Sequence, residues 1–588
     1  MAQFTLSNRS NGGRASALCT ISGLALGLGL LLAPSSARAD GQPITKIAFT
    51  GEVADGSANP FATGLDGVGF SSAVINNSGQ ISFASRVSGL FGINDRGVYL
   101  SHVLNGGGNQ QIARSGSALP GSPDLNIFFG ADAIPNIGDS GRIVFLGAVG
   151  GAGVTTTNDA AVFATQGVLL SNAPEMIGRE DADAPSITNV RYGAANVLNP
   201  AYFVPVVNAG GTAGFRSALR GSPVTTLNDT ALWSSAPGSG GALEVRESNP
   251  TTVINNVNFG TMLSNAINDS GRMAVRVNLA GSGVTTLNDE ALFLVGGGAA
   301  PVLIAREGTT AAGPGLGAAV YSAGGNINRL GNPAINNEGR VAFRSALANG
   351  GVTSTTDSAL FAGLPGALVK LRREGEATGL AASVVFDSFD GAEVSDPAIN
   401  ASGILSMLVK VRGGTTNTTS DTVIYTGATL NTPVAREGSP VPNLAGVNFG
   451  IFNGGAAIAP AINDDGSLLF TSQLTGQGVT ADNDGAIFGW TPWGGICLLV
   501  REGDMIDSDG LGTMRTIASL DVVLGSGGQD GEQRSLDDFG RVVFTAKFTD
   551  GKSGVYVTAV PAPSAGLGVA LGALLAARRR RRPGTRPC

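Results

Sequence analysis

The sequence has 588 residues, more than a single hydrophobic core supports, and only 14% of them are charged and 6% aromatic. Nine of its 37 basic residues and none of its 44 acids lie in residues 1–39 and 560–588, so the body between them has a net charge of −16. That charge argues against nucleic acid and anionic membranes as partners. With one histidine, His102, and one cysteine in the body, Cys497, zinc sites and Ser-His-Asp triads are excluded.

The N-terminus has the features of a secretory signal peptide. Arg9 and Arg14 precede an apolar run over residues 21–33, and Ala37-Arg38-Ala39 forms a small-residue cleavage site. We therefore predict a signal peptide over 1–39, cleavage after Ala39, and export of the mature chain.

The body, residues 44–560, repeats one short motif eight times. In its clearest form the motif is AINNEGRVAF at 334–343, which we abbreviate N-x-x-G-x-x-x-F. The motif glycines lie 60–74 residues apart, at Gly79, Gly141, Gly211, Gly271, Gly339, Gly403, Gly466 and Gly540. A period of this length is typical of a solenoid, a propeller or an array.

Each motif predicts a tight turn followed by a strand. Asn favours the first position of a type I turn and Gly the fourth, and the residues after the Gly alternate between apolar and polar. The predicted turn residues are Asn76, Asn208, Asn268, Asn336, Asn400 and Asn463, with Gly138 and Asp537 in the two remaining units. The predicted core residues are Phe83, Phe145, Phe215, Phe343, Phe470 and Phe544, with Val275 and Met407 in the other two.

Two further strands follow in each unit, so a unit is a four-strand meander such as PAIN, GRVAFRSAL, ALFAG and LVKLRREG. A connection of about 25 residues, containing a minor VNFG-like strand (256–260, 447–450), leads to the next unit. The chain begins with a fourth-strand sequence, ITKIAFTGE (44–52), and its last unit ends after the third strand. The sequence therefore predicts an all-β propeller of eight four-stranded blades whose N-terminal strand completes the last blade. A β-solenoid and two smaller β domains are the alternatives.

Charged residues recur in the fourth strand. The arginines are Arg114, Arg179, Arg246, Arg306, Arg373, Arg436 and Arg501, and six are followed by Glu180, Glu247, Glu307, Glu374, Glu437 and Glu502. Neighbours on a strand point to opposite faces, so we do not expect each Arg to pair with its own Glu. Inter-blade ion pairs or turn contacts explain the set, and a ring that binds carboxylates or sulfated glycans is the functional alternative.

Two local features are further candidates for a site. An Asn-Asp or Asp precedes each third strand, and the densest acidic region, Asp482, Asp484, Asp504, Asp507 and Asp509, is the candidate for calcium, although Asx turns explain the same pattern. Trp490 and Trp493 depart from the repeat and suit either packing at a blade edge or a sugar-stacking platform. No catalytic residue and no cofactor other than calcium is predicted.

The C-terminal segment, 561–588, looks like a sorting signal. Residues 564–577 are 14 apolar or small residues, about 21 Å of helix, which is short for a hydrocarbon core of about 30 Å. Five arginines follow at 578–582 and favour a cytoplasmic end. A transient contact of 564–577 with the inner membrane is expected.

The eight motif sets resemble the bacterial choice-of-anchor tandem-repeat proteins named for NxxGxxxF, over almost the whole mature chain. The tail, VPAPSAGLGVALGALLAARRRRR, resembles a PEP-CTERM sorting signal, with Ala562 where that signal has Glu. A looser similarity links the motif to the propeller repeats of TolB-like proteins. The first two resemblances imply a surface or secreted location and a processing enzyme acting on the tail, and no established activity.

We therefore expect an exported bacterial protein, at the cell surface or extracellular, that is a structural or interaction module and not an enzyme. Its expected partners are extracellular polysaccharide or surface proteins. The alternative is a secreted hydrolase or lyase acting on polysaccharides, which should show unrepeated acids in one or two blades.

Overall fold

The computed structural model describes residues 42–561 except 54–58, 63–68, 89–95, 104–107, 121, 130–133, 168–172, 194–203 and 323–329. The predicted signal peptide with Ala39 and the tail segment 564–577 lie outside the described residues. None of the helices within the described ranges has the length and apolar content needed to cross a bilayer.

Strands in chain order form eight antiparallel sheets, which are the eight blades of a propeller. The predicted fold is confirmed. The closing strand is β1 (Thr45–Phe49), and blade 1 contains β2 (Phe61–Ala62), β3 (Val74–Ile75), β4 (Gln80–Val87), β5 (Arg96–His102) and β6 (Gln110–Arg114). Blade 2 contains β7 (Ala118–Leu119), β8 (Ser122–Phe128), β9 (Asn136–Ile137), β10 (Ile143–Gly151), β11 (Ala160–Ala164) and β12 (Glu175–Arg179).

The next three blades follow the same order. Blade 3 contains β13 (Arg191–Tyr192), β14 (Val206–Val207), β15 (Ala213–Arg220), β16 (Thr230–Ser235) and β17 (Ala242–Arg246). Blade 4 contains β18 (Val257–Ile267), β19 (Arg272–Gly281), β20 (Glu290–Gly296) and β21 (Val302–Arg306). Blade 5 contains β22 (Val320–Tyr321), β23 (Ala334–Ile335), β24 (Val341–Ala348), β25 (Ser358–Leu364) and β26 (Ala367–Arg373).

The last three blades complete the ring. Blade 6 contains β27 (Val385–Phe386), β28 (Ala398–Ile399), β29 (Leu405–Arg412), β30 (Thr422–Gly427) and β31 (Thr432–Arg436). Blade 7 contains β32 (Val447–Phe452), a 3-10 turn (Asn453–Gly455), β33 (Ala461–Ile462), β34 (Leu468–Gly476), β35 (Gly485–Thr491) and β36 (Gly495–Arg501). Blade 8 contains β37 (Met505–Asp507), β38 (Met514–Asp521), β39 (Arg541–Phe548) and β40 (Ser553–Ala559).

The N-terminal strand closes the ring as predicted. Strand β1 pairs antiparallel with β40, with Thr45 opposite Val557 and Phe49 opposite Gly554, so the two ends of the body meet in blade 8. Pairing removes the open edge that β40 would otherwise present.

The first strand of a blade differs from the predicted meander. In blade 4 the VNFG-like and AIN segments form one continuous strand, β18, along β19. In blade 6 they form two short strands, β27 and β28, which pair with opposite ends of the same strand β29. The VNFG-like and AIN segments are therefore two halves of the first strand, since both pair with the same second strand. In blade 6 the chain leaves the sheet between the two halves, whereas in blade 4 it does not.

The hydrophobic cores lie between blades. The described residues form eight buried clusters, each of which combines side chains from two neighbouring blades. One cluster joins Val543 and Val555 of blade 8 to Phe61 and Phe83 of blade 1, so the packing is continuous around the ring. The motif Phe lies opposite an aromatic residue of the third strand, and Phe470 stacks on Phe488 with a centroid distance of 5.4 Å.

The motif asparagine both closes its own turn and joins two blades. In blade 6, Asn400 Oδ1 accepts from Ile404 N at 2.9 Å, and Asn400 Nδ2 donates to Asn463 O of blade 7 at 2.9 Å. The other inter-blade bonds of this kind join Asn76 to Gly138, Asn208 to Asn268, Asn268 to Asn336, Asn336 to Asn400, and Asn463 to Asp537.

Blades 2 and 8 lack the asparagine and use other contacts. Gly138 makes the same backbone turn, with Gly141 N donating to its carbonyl at 2.9 Å, and a Cβ at Gly138 would collide with Asn208 O. In blade 8, Asp537 accepts from Arg541, whose Nη2 donates to Asn77 O at 2.8 Å. Arg541, held by the Asp537 carboxylate of its own blade, thus connects blade 8 to blade 1 by a hydrogen bond.

A segment of blade 8, residues 522–535, crosses the central channel, and we call it the plug. It connects β38 to Leu536, which pairs with Val542 of its own blade. It contacts residues in or next to the inner strands of all seven other blades. The contacts are Ile75 N to Arg534 O (3.0 Å), Gln533 Nε2 to Ile134 O (2.7 Å), Val207 N to Gly531 O (2.8 Å), Ile267 N to Asp530 O (2.7 Å), Asn337 N to Gln529 Oε1 (3.1 Å), Gly527 against Ile399, and Ile462 N to Ser526 O (3.1 Å). The plug supplies acceptors to inner-strand N–H groups that would otherwise face an open channel.

Two charged side chains of the plug, Glu532 and Arg534, lie close to acidic residues. Burial raises the pKa of Glu532 well above its usual range, and the carboxylates of Asp530 and Asp396 add to that effect. Arg534 of the plug forms an ion pair with Asp139 of blade 2, with its Nη2 3.4 Å from Asp139 Oδ1.

We predict that Asn400→Ala destabilises the ring. The change leaves two buried backbone groups, Ile404 N–H and Asn463 C=O, without their side-chain partners, so the free energy of unfolding should fall by roughly 2–4 kcal/mol. Denaturant unfolding measures the loss. Asn431→Ala, at an exposed position, is the control and should change stability little; equal effects of the two variants would contradict the role assigned to Asn400.

We also predict that the plug contributes to stability through its packing. Gly531 and Gly478 both have positive φ, 69° and 74°, so alanine strains the backbone at either position. A Cβ at Gly531 would also lie 2.5 Å from Ile267 Cγ2, whereas a Cβ at Gly478 meets nothing within 4 Å. Gly531→Ala should therefore lower the free energy of unfolding by about 1–3 kcal/mol more than Gly478→Ala. A difference near zero would mean that the plug is not packed against blade 4.

Candidate functional site

One end of the ring carries a set of similar exposed loops, which we call the threonine face. They connect the second and third strands of blades 2 to 7 and span 152–159, 222–229, 282–289, 350–357, 413–421 and 477–484. The two tip residues of each loop are exposed: Thr156 and Thr157, Thr226 and Leu227, Thr286 and Leu287, Ser354 and Thr355, Thr418 and Thr419, and Ala481 and Asp482. Because strands alternate in direction, the N-x-x-G turns lie at the opposite end of each blade.

The loops share one internal hydrogen bond. Asn158 Oδ1 accepts from Thr155 N at 2.7 Å, and the equivalent asparagines of blades 3, 4 and 7 do the same at 2.7, 2.8 and 2.9 Å. In blades 5 and 6 a hydroxyl replaces the amide, with Thr356 and Ser420 accepting at 3.0 Å. These are Asx and ST turns, and they give the tips a similar conformation in all six blades.

The recurring arginines hold the loops from below. Arg501 Nε donates to Asn483 O at 2.6 Å, within the same blade. The corresponding bonds run from Arg179 to Asn158, Arg246 to Asn228, Arg306 to Asn288, Arg373 to Thr356 and Arg436 to Ser420, at 2.7–3.1 Å. Of the alternatives left open by the sequence, the structure therefore places these six arginines in turn contacts within each blade.

The recurring glutamates hold the loop ends. Glu374 Oε2 accepts from Asp357 N at 3.1 Å, and Glu180, Glu247, Glu307 and Glu502 accept in the same way from Ala160, Asp229, Glu290 and Gly485. The Arg and the Glu both contact the loop of their own blade.

Burial raises the pKa of four of the recurring glutamates, and the aspartate of each loop adds to the effect. Burial and the Asp357 carboxylate raise the pKa of Glu374 to about 7, although Arg412 opposes the shift. Burial also raises the pKa of Glu247, Glu437 and Glu502, with Asp229, Asp421 and Asp484 adding to it. The scaffold of the threonine face thus contains one carboxyl group, that of Glu374, whose pKa lies near neutral pH.

The five calcium candidates lie in three separate segments: Asp482 and Asp484 in the blade 7 loop, Asp504 in the turn after β36, and Asp507 and Asp509 at the end of β37 and in the turn to β38. Asp504 accepts from Arg501 N at 2.9 Å, Asp507 from Gly512 N at 3.0 Å, and Asp509 from Leu511 N at 2.9 Å, while Asp482 is exposed at a loop tip and Asp484 lies beside Glu502. Hydrogen bonds from Thr513 and Leu511 lower the pKa of Asp509 to about 2. Across the described ranges, no three His, Cys, Asp or Glu side chains group as metal ligands would.

The two tryptophans are also separated. Trp490 lies on β35 and packs against the core cluster between blades 6 and 7, whereas Trp493 is 47% exposed in the turn that follows. His102 ends β5 opposite Gln80. Sequence reasoning did not find the plug or the threonine face as a surface, although the repeated V-T-T-x-N-D spacing was visible.

Comparisons with known proteins give a family and a set of distant structures. A model described as a family of unknown function (DUF7453) matches residues 33–203 and 193–567. No curated protein matches the chain. A solved prolyl endopeptidase is similar at 9% identity and a TM-score of 0.38, over 82% of this chain and 55% of that one.

Two other solved structures are similar at the same level. Oligopeptidase B from Leishmania major has 9% identity and a TM-score of 0.37, over 82% of this chain and 54% of that one. The β-propeller domain of the Trilobed protease from Pyrococcus furiosus has 10% identity and a TM-score of 0.34, over 74% of this chain and 99% of that one. The chain spans about half the length of the two peptidases, and these likenesses carry no argument about activity.

We predict that stability increases as the pH falls from about 8 to about 5. The folded chain keeps protons on glutamates that release them near pH 4.3 when unfolded, so stability is lost as pH rises through the folded pKa of about 7 for Glu374. Tm measured across this range should rise at lower pH. Glu374→Gln should flatten the profile and the exposed Glu338→Gln should not; a profile that rises with pH would contradict the assignment.

Proposed function

We propose that this chain, which belongs to the family of unknown function DUF7453, is an exported, non-catalytic interaction module that binds extracellular polysaccharide through the threonine face. The observation that carries the proposal is the repetition of one exposed, hydroxyl-bearing loop in six consecutive blades. A repeating surface suits a repeating polymer, since each loop can contact one sugar unit of the polysaccharide.

The construction of the loops supports a binding role. Each tip is held by an Asx or ST turn from within and by an Arg and a Glu from below, so its backbone is already ordered before a ligand arrives. Ordering in advance reduces the entropy lost on binding. Several weak contacts on one rigid ring also act together, which raises the overall affinity above that of one loop.

The chemistry of the tips favours a hydroxylated polymer of low charge. Threonine hydroxyls donate and accept hydrogen bonds, as sugar hydroxyls do. The net charge of −16 for the body opposes polyanions such as sulfated glycans. Export and a tail-directed sorting enzyme, as the resemblance to choice-of-anchor and PEP-CTERM proteins implies, would bring the module to such polymers.

The second candidate is a secreted polysaccharide hydrolase or lyase. The specific observation in its favour is the Asp484–Glu502 pair, in which Glu502 is partly exposed and has a raised pKa, as a general acid requires. The same assay distinguishes the two functions, because an enzyme releases new reducing ends from the polymer and a binding module does not.

The test uses protein recovered from the culture medium or cell surface and a panel of dextran, xylan and alginate in affinity electrophoresis. We expect retardation by a neutral polymer without release of reducing ends. The variant Thr156→Ala/Thr226→Ala/Thr286→Ala/Thr418→Ala should weaken binding roughly tenfold, because losses at several loops multiply.

The matched control removes exposed hydroxyls from the opposite end of the ring. Ser402→Ala/Thr432→Ala should bind as the unaltered protein does. The proposal fails if no polymer is bound, if both variants lose affinity equally, or if the protein is retained in the cytoplasm. Release of reducing ends would favour the enzyme.

A further inference from the structure

A pocket of about 390 Å³ lies between blades 7 and 8, at the base of the blade 7 loop. Its volume falls within the usual range for small-molecule sites. Blade 7 contributes Asp484, Gly485 and Glu502, and blade 8 contributes Leu520, Asp521 and the beginning of the plug. The pocket thus lies where the plug leaves its sheet and enters the channel.

Beside this pocket, blade 7 has a glycine where the other five blades with this loop have a side chain. The residue after the loop aspartate is Gly485 in blade 7, and it is Ala160, Thr230, Glu290, Ser358 and Thr422 in blades 2 to 6. The carboxyl of Glu502 lies over Gly485, 2.5–2.6 Å from the position a Cβ would take. Glu502 is also the one of the six recurring glutamates that is not fully buried among the described residues.

Blade 7 also lacks the hydroxyl that three of these blades carry at this position, on Thr230, Ser358 and Thr422. In blade 3, Thr230 Oγ1 donates to Glu247 Oε2 at 3.3 Å, and in blade 5, Ser358 Oγ donates to Glu374 Oε2 at 3.3 Å. The second oxygen of each of these glutamates is occupied from the next blade, by Thr261 and Arg412 respectively. Within the described part of the chain, Glu502 receives one hydrogen bond, from Gly485 N at 2.8 Å.

The lining combines negative charge with an apolar wall. Asp484, Glu502 and Asp521 are its three ionisable side chains, and neither a basic nor an aromatic residue is among the described residues that line it. Ile458, 43% exposed, forms the apolar wall together with Ile487, Leu520 and Leu524. A ligand for this pocket therefore has a cationic donor group on an aliphatic chain, and a sugar ring finds no aromatic side chain on which to stack.

We propose that this pocket binds a primary alkyl ammonium, whose N–H groups take the place of the hydroxyl donor that blade 7 lacks at Glu502. An ammonium supplies three donors to carboxylates that would otherwise repel one another, and its alkyl stem lies against Ile458 and Leu524. The source is a free diamine or the lysine side chain of an exposed peptide. This site does not depend on polysaccharide binding by the threonine face.

Isothermal titration calorimetry on the full protein tests the proposal with four probes. Cadaverine represents the free diamine, N-acetyl-lysine N-methylamide represents the peptide side chain, and 1,5-pentanediol and calcium chloride are the comparisons. We expect at least one ammonium to bind and the diol not to bind. The tighter of the two ammonium probes identifies the source.

Three variants locate the site. Glu502→Gln removes the charge, Gly485→Ser places the hydroxyl found in blade 5 beside Glu502, and each should weaken ammonium binding by roughly tenfold or more. Glu437→Gln is the matched control, because the same glutamate in blade 6 is enclosed, and it should leave affinity within about twofold. Asp521→Asn provides a third test from the blade 8 wall if either pocket variant melts before the unaltered protein.

Specific results would overturn the proposal. These are no heat of binding for either ammonium, equal binding of 1,5-pentanediol, or an equal loss in Glu437→Gln. Binding of calcium alone that is lost in Glu502→Gln would replace the ammonium site with a metal site. If polysaccharide binding is absent and ammonium binding is present, the function proposed for the threonine face is wrong and the ammonium site is supported.

Discussion

The structure depends on one side chain that makes two hydrogen bonds in different directions. Within each typical blade, the motif asparagine accepts from the backbone of its own turn and donates to the backbone of the next blade, as Asn400 does toward Ile404 and Asn463. One amide group thus stabilises both a local turn and a contact between residues more than 60 positions apart. Leaving this buried amide without its second partner would cost free energy. The next blade is therefore held at the distance at which its backbone carbonyl accepts the hydrogen bond.

Closure of the ring solves a second problem, the open edges and empty centre of an eight-bladed propeller. Strand β1 covers the edge of β40, and Arg541 bridges blade 8 to blade 1, where the asparagine is absent. The plug then crosses the centre and gives acceptors to inner strands on several sides. Blade 8 therefore differs most from the others because it carries both the closing strand and the channel filling.

The charged residues that recur most regularly serve the scaffold. Arg501 and its equivalents donate to loop carbonyls, and the neighbouring glutamates accept from loop N–H groups, so twelve residue positions with the appearance of a binding ring instead support the exposed threonines above them. The proposed binding surface is therefore formed by the exposed loop tips and not by the arginines and glutamates that support them. The regularity of the set also draws attention to the exception in blade 7, where Gly485 leaves Glu502 without the hydroxyl donor that Thr230 and Ser358 supply in blades 3 and 5, beside a pocket between blades 7 and 8.

The sequence by itself determined the eight units, the turn and strand of each motif, the core position of residues such as Phe343, and the use of the N-terminal strand in the last blade. Those features follow from local rules of turn formation and two-residue alternation, which act within about ten residues. The tertiary structure alone decided the acceptor of each asparagine amide, the path of the plug and the support of the loops by Arg and Glu. It also decided that Asp482, Asp484, Asp504, Asp507 and Asp509 are spread over three segments and do not form one group of metal ligands. These depend on which residues meet across blades or across the channel, such as Asn136 and Gly531 at 2.8 Å, and a separation of 395 residues leaves no local pattern that predicts such a contact.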